Sequence, residues 1–308
     1  MTKKPITNMG ASVRARLKAL AKRDRRPLQE VLQYYAMERF LYRLSQSSHR
    51  ERFVLKGALM LQFWGAPLVR STKDIDLCGR QTATPVDLVR MVKDCLAVPV
   101  DDDGLRFHTE SVIGEPIRTN AKYDGVRLRF RAELDGADVR LQVDVGFGDA
   151  ITPGPQRVSY PSLLGFEGAH LLGYTPETAV AEKFEAMVAL DMANTRMKDF
   201  FDVWLLASKW AFSSEALGKA IEATFRRRRT ALPLSAPTAL TPVFHSAPEK
   251  QVQWRAYLKK GHVREEAPAF EAAARLIRDF LMPVSHARAN GLDFTGRWPP
   301  GGPWTSER

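Results

Sequence analysis

The chain contains little cysteine and no long apolar run. Its two cysteines among 308 residues, Cys78 and Cys95, match neither a zinc-binding spacing nor a C-x-x-C pattern, which argues against a disulfide scaffold and favours a reducing compartment. The amino terminus lacks the apolar core of roughly 7–15 residues that a secretory signal requires. No segment approaches the roughly 18 apolar residues of a membrane span. We therefore expect a cytoplasmic protein with no membrane partner.

Several catalytic signatures are missing as well. The six histidines are scattered and form no H-E-x-x-H pattern, so a histidine-bound zinc site is not indicated. The nucleophile elbow G-x-S-x-G does not occur, and neither does the phosphate-binding loop G-x-x-x-x-G-K-[ST]. These absences disfavour metallopeptidases, serine hydrolases and P-loop nucleotide hydrolases.

Basic residues, by contrast, are in excess. The 46 Lys and Arg against 35 Asp and Glu give a formal charge of +11, and the isoelectric point is near 9.8. This balance favours a polyanionic partner, whether nucleic acid, nucleotide or acidic protein, without choosing among them. Hydrophobic residues make up 44% of the chain, enough for substantial cores, and the length suggests about two domains.

In the first half of the chain, the spacing of apolar residues changes from that of helices to that of strands. Helical spacing of apolar residues predicts two helices over 10–45, separated near Pro27, and a further apolar helix or the turn before one over 53–64. Alternation then becomes dominant. The remaining elements predicted there are strands at 74–77, 126–133 and 139–145, a hairpin turn at Asp135-Gly136 and a helix over 85–96.

Helical spacing returns in the second half, from Pro176 to Ala207. The Pro- and Ala-rich segment 230–248 is typical of a linker, and one more amphipathic helix is predicted over 265–281. The fold class expected is α+β. The expected domains are a mixed α+β core over 1–155, a helical domain over 156–230, and a linker with a C-terminal helical extension over 231–308.

An acidic pair is the strongest local feature. Asp74 and Asp76 alternate with Ile75 and Leu77, so both carboxylates face the same side of a strand, about 7 Å apart. Their mutual repulsion would be relieved by a divalent cation, and Mg²⁺ typically takes one or two carboxylates together with substrate phosphates. The alternative is that both are solvated aspartates on the polar face of a half-buried strand.

Two neighbouring features favour the metal site. Lys56-Gly57 opens an apolar segment with a tight turn, where backbone can approach a triphosphate, although a packing glycine is an equal alternative. Asp144 is a carboxylate in a strand otherwise built for a core. It is a candidate third metal ligand that would also orient the acceptor hydroxyl, or else it lies on the solvated face with Gln142.

A second group of charged residues falls in the later helices. Asp199 and Asp202 are three residues apart and share a helix face. Lys183, Arg196 and Lys198 are candidates for contact with phosphate. The alternative is a surface salt-bridge network of Lys183 with either aspartate.

Four blocks together resemble the AbiEii family of nucleotidyltransferase-like toxins, from type IV toxin–antitoxin and abortive-infection systems. The resemblance covers residues from about 10 to 210, and its order and spacing make it specific. The blocks are Phe53 to Ala58, Arg70 to Leu77, Val143 to Asp149, and Glu182-Lys183 followed by Arg196 to Asp202.

The resemblance implies a polymerase-β-like nucleotidyltransferase core followed by a helical domain. It assigns metal binding to Asp74 and Asp76, with Asp144 as the third carboxylate of the catalytic and metal set. Lys183 and Asp199 match the lysine and aspartate beside the nucleotide. The nucleotide-binding residues expected are Lys56, Gly57, Arg70, Ser71, Lys73, Arg196 and Lys198. In the family two glycines often follow the lysine, whereas Ala58 stands here, so Ser71 is a candidate for supplying a hydroxyl.

The leading hypothesis is a toxin that transfers a nucleoside monophosphate from a nucleoside triphosphate to RNA. It would use one or two Mg²⁺ ions, and the family implies the tRNA 3′ end as acceptor and a winged-helix antitoxin as partner. The basic runs Arg226–Arg229 and Lys259-Lys260 would hold the acceptor backbone, although such runs are also ordinary solvated helix ends. The alternatives are a non-catalytic module that binds nucleic acid or protein, and an enzyme that nucleotidylates protein.

Overall fold

The computed structural model describes residues 8–65, 70–118, 124–260, 263 and 267–306, and the chain forms two compact units. The sheet unit consists of Met1–Gly148 and Gln156–Gly173. The helical unit consists of Asp149–Pro155 and Tyr174–Arg308. The chain therefore leaves the sheet unit after Gly148, returns to it at Gln156, and leaves it again after Gly173.

Two helices begin the sheet unit, as predicted. Helix α1 (Met9–Arg23) and helix α2 (Leu28–Gln46) are separated where Arg25 adopts a positive φ of 50°. Pro27 is the N-cap of α2, a place where its missing N–H costs nothing. Most of α2 is buried, because the helix packs on the core of the sheet.

Seven strands form one mixed sheet in the order β3-β4-β5-β2-β1-β7-β6. The pairs β2–β5 and β1–β7 are parallel, and the other neighbours are antiparallel. The strands are β1 (Phe53–Lys56), β2 (Asp74–Gly79), β3 (Leu105–Arg118), β4 (Asp124–Leu134), β5 (Ala137–Phe147), β6 (Gln156–Ser159) and β7 (His170–Gly173).

The hairpin between β4 and β5 confirms a sequence prediction. Asp135 and Gly136 both adopt positive φ, 47° and 75°, as a two-residue hairpin turn requires. The alternating apolar residues on both strands are buried on one face of the sheet. Helix α4 (Pro85–Leu96) also begins and ends where predicted, because Thr84 and Asp87 form a reciprocal capping box at its start.

Two predictions in the sheet unit were wrong or incomplete. The segment 53–64 was predicted to be helix or turn, but Phe53–Lys56 is strand β1, and helix α3 is only the short stretch Leu59–Phe63. An apolar run of this length does not distinguish a buried strand from a buried helix. Strand β3 was not predicted.

The helical unit contains six helices among the described residues, joined to a two-stranded sheet of β8 (Phe212–Ser213) and β9 (Arg297–Trp298). The predicted α+β class with a helical region after the sheet is confirmed. The helices are α5 (Pro176–Leu190), α6 (Met197–Lys209), α7 (Ser214–Arg228), α8 (Pro242–His245), α9 (Pro248–Lys260) and α10 (Phe270–Ala289).

The units divide the chain differently from the predicted boundaries at 155 and 230. Residues 156–173 contribute two strands to the sheet, so the helical unit proper starts later than predicted. The segment 230–248, interpreted as a linker, contains the buried residues Ala239, Leu240 and Phe244 and packs within the helical unit. The predicted helix start at Glu265 lies outside the described residues, and α10 begins at Phe270.

No helix in the described part of the chain is both long and apolar enough to cross a bilayer.

Candidate active site

Strand β2 carries the acidic pair on its accessible face. Asp74 and Asp76 are half-buried, whereas Ile75 and Leu77 between and after them are buried in the core. The alternation predicted from the sequence is therefore present, and both carboxylates lie on the same face of the sheet. Ligand can reach this face without disturbing the core.

Helix α2 anchors the segment that leads into β2. The Tyr34 hydroxyl donates to the Arg70 carbonyl at 2.9 Å and accepts from the Thr72 N–H at 3.0 Å. The Gln33 amide donates to the Lys73 carbonyl at 3.3 Å. These contacts fix the backbone of residues 70–73 immediately before the acidic pair.

The neighbouring strands add two of the predicted residues to the same face. Asp76 is paired in register with Lys56 of β1 and with Asp144 of β5. Residues opposite one another in adjacent strands project to the same side of a sheet. Lys56, Asp76 and Asp144 therefore form a row across three strands, as the sequence reasoning required.

Gly57 lies against the carboxylate of Asp76. Its φ is +72°, and a Cβ atom at this position would lie 2.1 Å from Asp76 Oδ2. Only glycine fits both the backbone conformation and the space. The tight turn predicted at Lys56-Gly57 thus forms a close cradle for one member of the acidic pair.

Asp144 is engaged by an arginine that the sequence reasoning missed. Arg127 of β4 donates from Nε to Asp144 Oδ1 at 2.9 Å and from Nη2 to Oδ2 at 2.7 Å. The hydrogen bonds that Arg127 donates to Asp144 raise the pKa of Arg127. Gln142 lies within 3.4 Å of the same carboxylate, so the alternative interpretation of Asp144, a polar face shared with Gln142, matches its surroundings.

The residues present fit a divalent cation in part. Asp74 and Asp76 are two accessible carboxylates on one face, which is the protein share of a typical Mg²⁺ site completed by substrate phosphates. The described residues contain no group of three or more His, Cys, Asp or Glu side chains arranged to hold a metal ion. The bidentate pair with Arg127 occupies both oxygens of Asp144, the predicted third ligand.

The other residues predicted to bind nucleotide before β2 differ in exposure. Arg70 is 9% exposed and Ser71 is half-buried, whereas Lys73 is exposed. Ser71 lies three residues before Asp74 in the anchored segment.

The helical unit contains a second charged cluster, built on α5 and α6. Lys183 Nζ lies 2.9 Å from Asp199 Oδ1 and 2.8 Å from Asp202 Oδ2. Arg196 Nε lies 2.6 Å from Asp199 Oδ2. The salt-bridge network of Lys183 with both aspartates, considered as an alternative, is therefore present, but its aspartates are buried, at 0% and 1% exposed, and do not lie on the surface. Lys198, on the same helix, is exposed.

Burial and pairing act in opposite directions on Asp199. Burial by itself would raise the pKa of this carboxyl, but the charges of Lys183 and Arg196 outweigh it and the pKa is lowered. Asp199 is therefore charged at neutral pH, with its two cations beside it.

The arginine run at the end of α7 is not uniform. Arg228 turns inward, donates to Glu185 Oε2 at 2.8 Å and to the Glu182 carbonyl at 3.3 Å, and lies 3.7 Å from Asp149 Oδ1. Burial would lower its pKa, but the surrounding carboxylates outweigh this and raise it. Arg228 thus connects α7 to the backbone of the residue that precedes Lys183, while Arg226 and Arg227 are exposed.

Sequence reasoning missed Tyr34 and Arg127. It placed Arg228 in the run expected to hold the acceptor backbone and missed its ion pairs with Asp149, Glu182 and Glu185. The alternation of arginines with apolar residues on β4 could have indicated that Arg127 shares a face with Asp144, once β4 and β5 were paired. Arg228 had no local signal, because its partners come from other parts of the chain.

One protein family matches most of the chain. The family described as "Nucleotidyl transferase AbiEii toxin, Type IV TA system" matches residues 39–276. The match spans both groups of candidate site residues. No curated protein matches the chain.

Two solved structures from Helicobacter pylori are similar to the chain. The first, described as a candidate nucleotidyltransferase, is 17% identical, with 86% of this chain and 98% of the other covered and a TM-score of 0.49. The second, JHP933, is 15% identical, with 82% of this chain and 89% of the other covered and a TM-score of 0.46.

Proposed function

The chain belongs to the AbiEii family of nucleotidyltransferase toxins of type IV toxin–antitoxin systems, and we propose that it transfers a nucleoside monophosphate from a nucleoside triphosphate to RNA. The proposed acceptor is the 3′ end of tRNA, and the proposed consequence is a block of translation. In this reaction the acceptor 3′ oxygen bonds to the α-phosphorus, the bond from that phosphorus to pyrophosphate breaks, and the hydroxyl proton is lost.

Membership of the family makes the protein a nucleotidyltransferase, a toxin, and one member of a toxin–antitoxin pair. We further propose that the antitoxin has a winged-helix fold and that the reaction takes place in the cytoplasm, where the proposed acceptor is found.

The observation that carries the proposal is the row of charged residues on the sheet. Asp74 and Asp76 share one accessible face, Lys56 lies in register beside Asp76, and Gly57 lies close against the Asp76 carboxylate. A triphosphate needs positive charge and close backbone approach, while its metal needs carboxylates. This face offers all three within one unit of the protein.

Asp74 and Asp76 would hold one or two Mg²⁺ ions, which when bound neutralise the triphosphate and polarise the reacting phosphate. Asp144 would align the acceptor hydroxyl or complete the metal set. Arg127 fixes the orientation of the Asp144 carboxylate through its two hydrogen bonds.

Several basic and polar residues would contact the nucleotide. Lys56 and the Gly57 backbone would approach its phosphates, and Lys183 would neutralise charge that develops on the leaving pyrophosphate. Asp199 would hold Lys183 in place, as their 2.9 Å contact supports. The remaining proposed nucleotide contacts are Arg70, Ser71, Lys73, Arg196 and Lys198.

The test is incubation of the purified protein with total tRNA, Mg²⁺ and each α-³²P-labelled nucleoside triphosphate in turn, beside Asp74→Ala. We expect label on tRNA from wild type, reduced at least about 10²-fold in the variant, as for loss of one transition-state contact. The unfolding midpoint of Asp74→Ala should stay near that of wild type, because the side chain is outside the core. A matched control is Asp138→Ala, which removes an exposed aspartate from the same face of β5.

The alternatives give different results. Label on protein instead of RNA would identify protein as the acceptor and would still support nucleotidyl transfer as the reaction. No label on either pool would favour the non-catalytic binding module. Full activity in Asp74→Ala would contradict the metal assignment.

A further inference from the structure

A group of five arginines lies at the end of the sheet unit where β1 begins and β2 ends. We call it the arginine patch, and it consists of Arg50, Arg52, Arg80, Arg90 and Arg157. Arg80 follows the last residue of β2, and its N–H donates to the Arg52 carbonyl at 2.9 Å, which places the two residues side by side. Arg157 lies on β6 and reaches Glu51 at 3.2 Å.

Positive charge exceeds negative charge in the patch. Glu51 is shared by Arg157 and by Arg50, whose Nε lies 3.6 Å away, and its backbone carbonyl accepts from Arg80 at 3.2 Å. Arg90 pairs with Asp87 at 3.0 Å. The next acid, Asp94, pairs with His49. Five guanidinium groups thus face three carboxylates.

The patch is accessible. The side chains of Arg157, Arg90 and Arg50 are 76%, 70% and 59% exposed. Exposed ion pairs of this kind contribute little to stability. An arginine in such a pair can therefore leave its carboxylate for a phosphate with little loss of free energy. A cavity of about 170 Å³ lies between Arg52 and Arg90, and Gln81 and Thr82 also line it. These side chains supply neutral hydrogen-bonding groups beside the charged ones.

The patch begins where the strand of the acidic pair ends. Arg80 lies four positions after Asp76 in the sequence, which corresponds to roughly 13 Å at the rise of a strand. The acidic pair and the arginine patch therefore lie at opposite ends of β2. A polyanion would lie with its backbone at the arginines and only its terminus near the carboxylates.

We infer that the arginine patch binds the phosphate backbone of the RNA acceptor at a distance from the reacting 3′ end. The inference rests on the proposed function, which requires a large polyanionic acceptor. Planar guanidinium groups match phosphate oxygens with two parallel hydrogen bonds, and Gln81 and Thr82 suit contacts to phosphate or sugar. An acidic protein surface would use the same charges, and the experiment separates the two.

The experiment compares two double variants that remove the same charge. Arg52→Gln/Arg157→Gln changes the patch, and Arg106→Gln/Arg275→Gln changes two exposed arginines elsewhere, each paired with a glutamate. Binding of total tRNA is measured without nucleotide over a range of salt, and transfer is measured as kcat and KM for tRNA. Unfolding midpoints check that both variants are folded.

We expect the patch variant to bind tRNA about tenfold or more weakly, with the slope of log K against log salt smaller by about 1.4 to 1.8 for two lost contacts. Its KM for tRNA should rise while kcat at saturating tRNA stays the same. The control variant should change neither quantity. Arg52→Lys/Arg157→Lys, which keeps the charge, should retain most of the salt slope.

The inference is overturned if the patch variant keeps the wild-type salt slope and KM, or if the control variant loses as much. It is also overturned if polyglutamate binding, and not tRNA binding, depends on the patch. Patch-dependent tRNA binding with no transfer from wild type would contradict the proposed function and leave the RNA-binding surface. Nucleotidyl transfer to tRNA that is unchanged in the patch variant would support the proposed function and contradict the RNA-binding surface.

Discussion

In the sheet unit Asp74 and Asp76 lie half-buried on an open strand face, whereas in the helical unit Asp199 and Asp202 are completely buried against Lys183. Both groups are pairs of aspartates a few residues apart. On the strand, the spacing of two puts both carboxylates toward ligand. On the helix, the spacing of three puts both toward a neighbouring helix.

The difference shows that the energetic requirements of an aspartate depend on whether it lies on an open face or in the interior. A half-buried carboxylate on an open face keeps part of its surface in contact with solvent. A buried carboxylate depends on its cation at all times, because an unpaired charge in the interior is strongly unfavourable. We therefore expect changes in the sheet pair to affect catalysis, and changes in the helical cluster to affect stability as well.

Lys183→Met should have the largest combined effect. It removes the cation that contacts both Asp199 and Asp202, and loss of one partner of a buried pair typically costs about 3–5 kcal/mol. We expect a lower free energy of unfolding in urea titrations and loss of nucleotidyl transfer.

The double variant Lys183→Met/Asp202→Asn separates the two roles of the lysine. The asparagine removes the negative charge of one aspartate that Lys183 contacts in the wild type. The free energy of unfolding should therefore recover in part. Transfer should stay absent if Lys183 acts on the nucleotide. Recovery of transfer together with stability would show that Lys183 is only structural.

Gly57→Ala should have an intermediate effect, directed at the acidic pair. The new Cβ would collide with Asp76 Oδ2, and the positive φ costs roughly 1–2 kcal/mol for a residue with a side chain. We expect transfer to fall by more than the loss of stability explains. Gly136→Ala is the matched control, since Gly136 has a φ of +75° and no heavy atom within 4 Å of a Cβ. Equal losses of activity in both variants would argue against a special role for Gly57.

The pH dependence of stability should be the smallest effect. The pKa of Asp199 is lowered in the folded state, so the unfolded chain binds more protons near its ordinary value of about 3.9. The contribution of this carboxyl is complete above that value and is lost as pH falls through the folded pKa. Urea titrations should show stability falling below about pH 4, and Asp199→Asn should make this fall shallower. A fall of the same steepness in Asp199→Asn would assign it to other carboxyls.

Local signals were enough to predict part of this molecule. The β4–β5 hairpin followed from alternation around Asp135-Gly136, and α4 followed from the helical pattern of residues 85–96. The shared face of Asp74 and Asp76 followed from strand geometry alone. These features depend on residues that are close in the sequence.

Features that depend on distant residues were not predicted. The bidentate pair of Arg127 with Asp144 requires the pairing of β4 with β5 in one particular register. The inward turn of Arg228 requires three separate segments to meet, although the run around it looks uniform. Strand β3 contains Gly114 and Pro116, residues that weaken a strand signal, and its pairing with β4 includes a register shift.

The path of the chain between the units has a consequence for synthesis. The sheet lacks β6 and β7 until Gly173 has been translated, although most of its other strands emerge much earlier. The segment Asp149–Pro155 can reach its final position only later in synthesis. Thr152 bonds to Thr178, and Asp149 lies 3.7 Å from Arg228. Domains usually fold as units during translation, and the domain nearest the amino terminus folds first. Here neither unit is a continuous stretch of chain, so the ribosome must release most of the protein before either is complete.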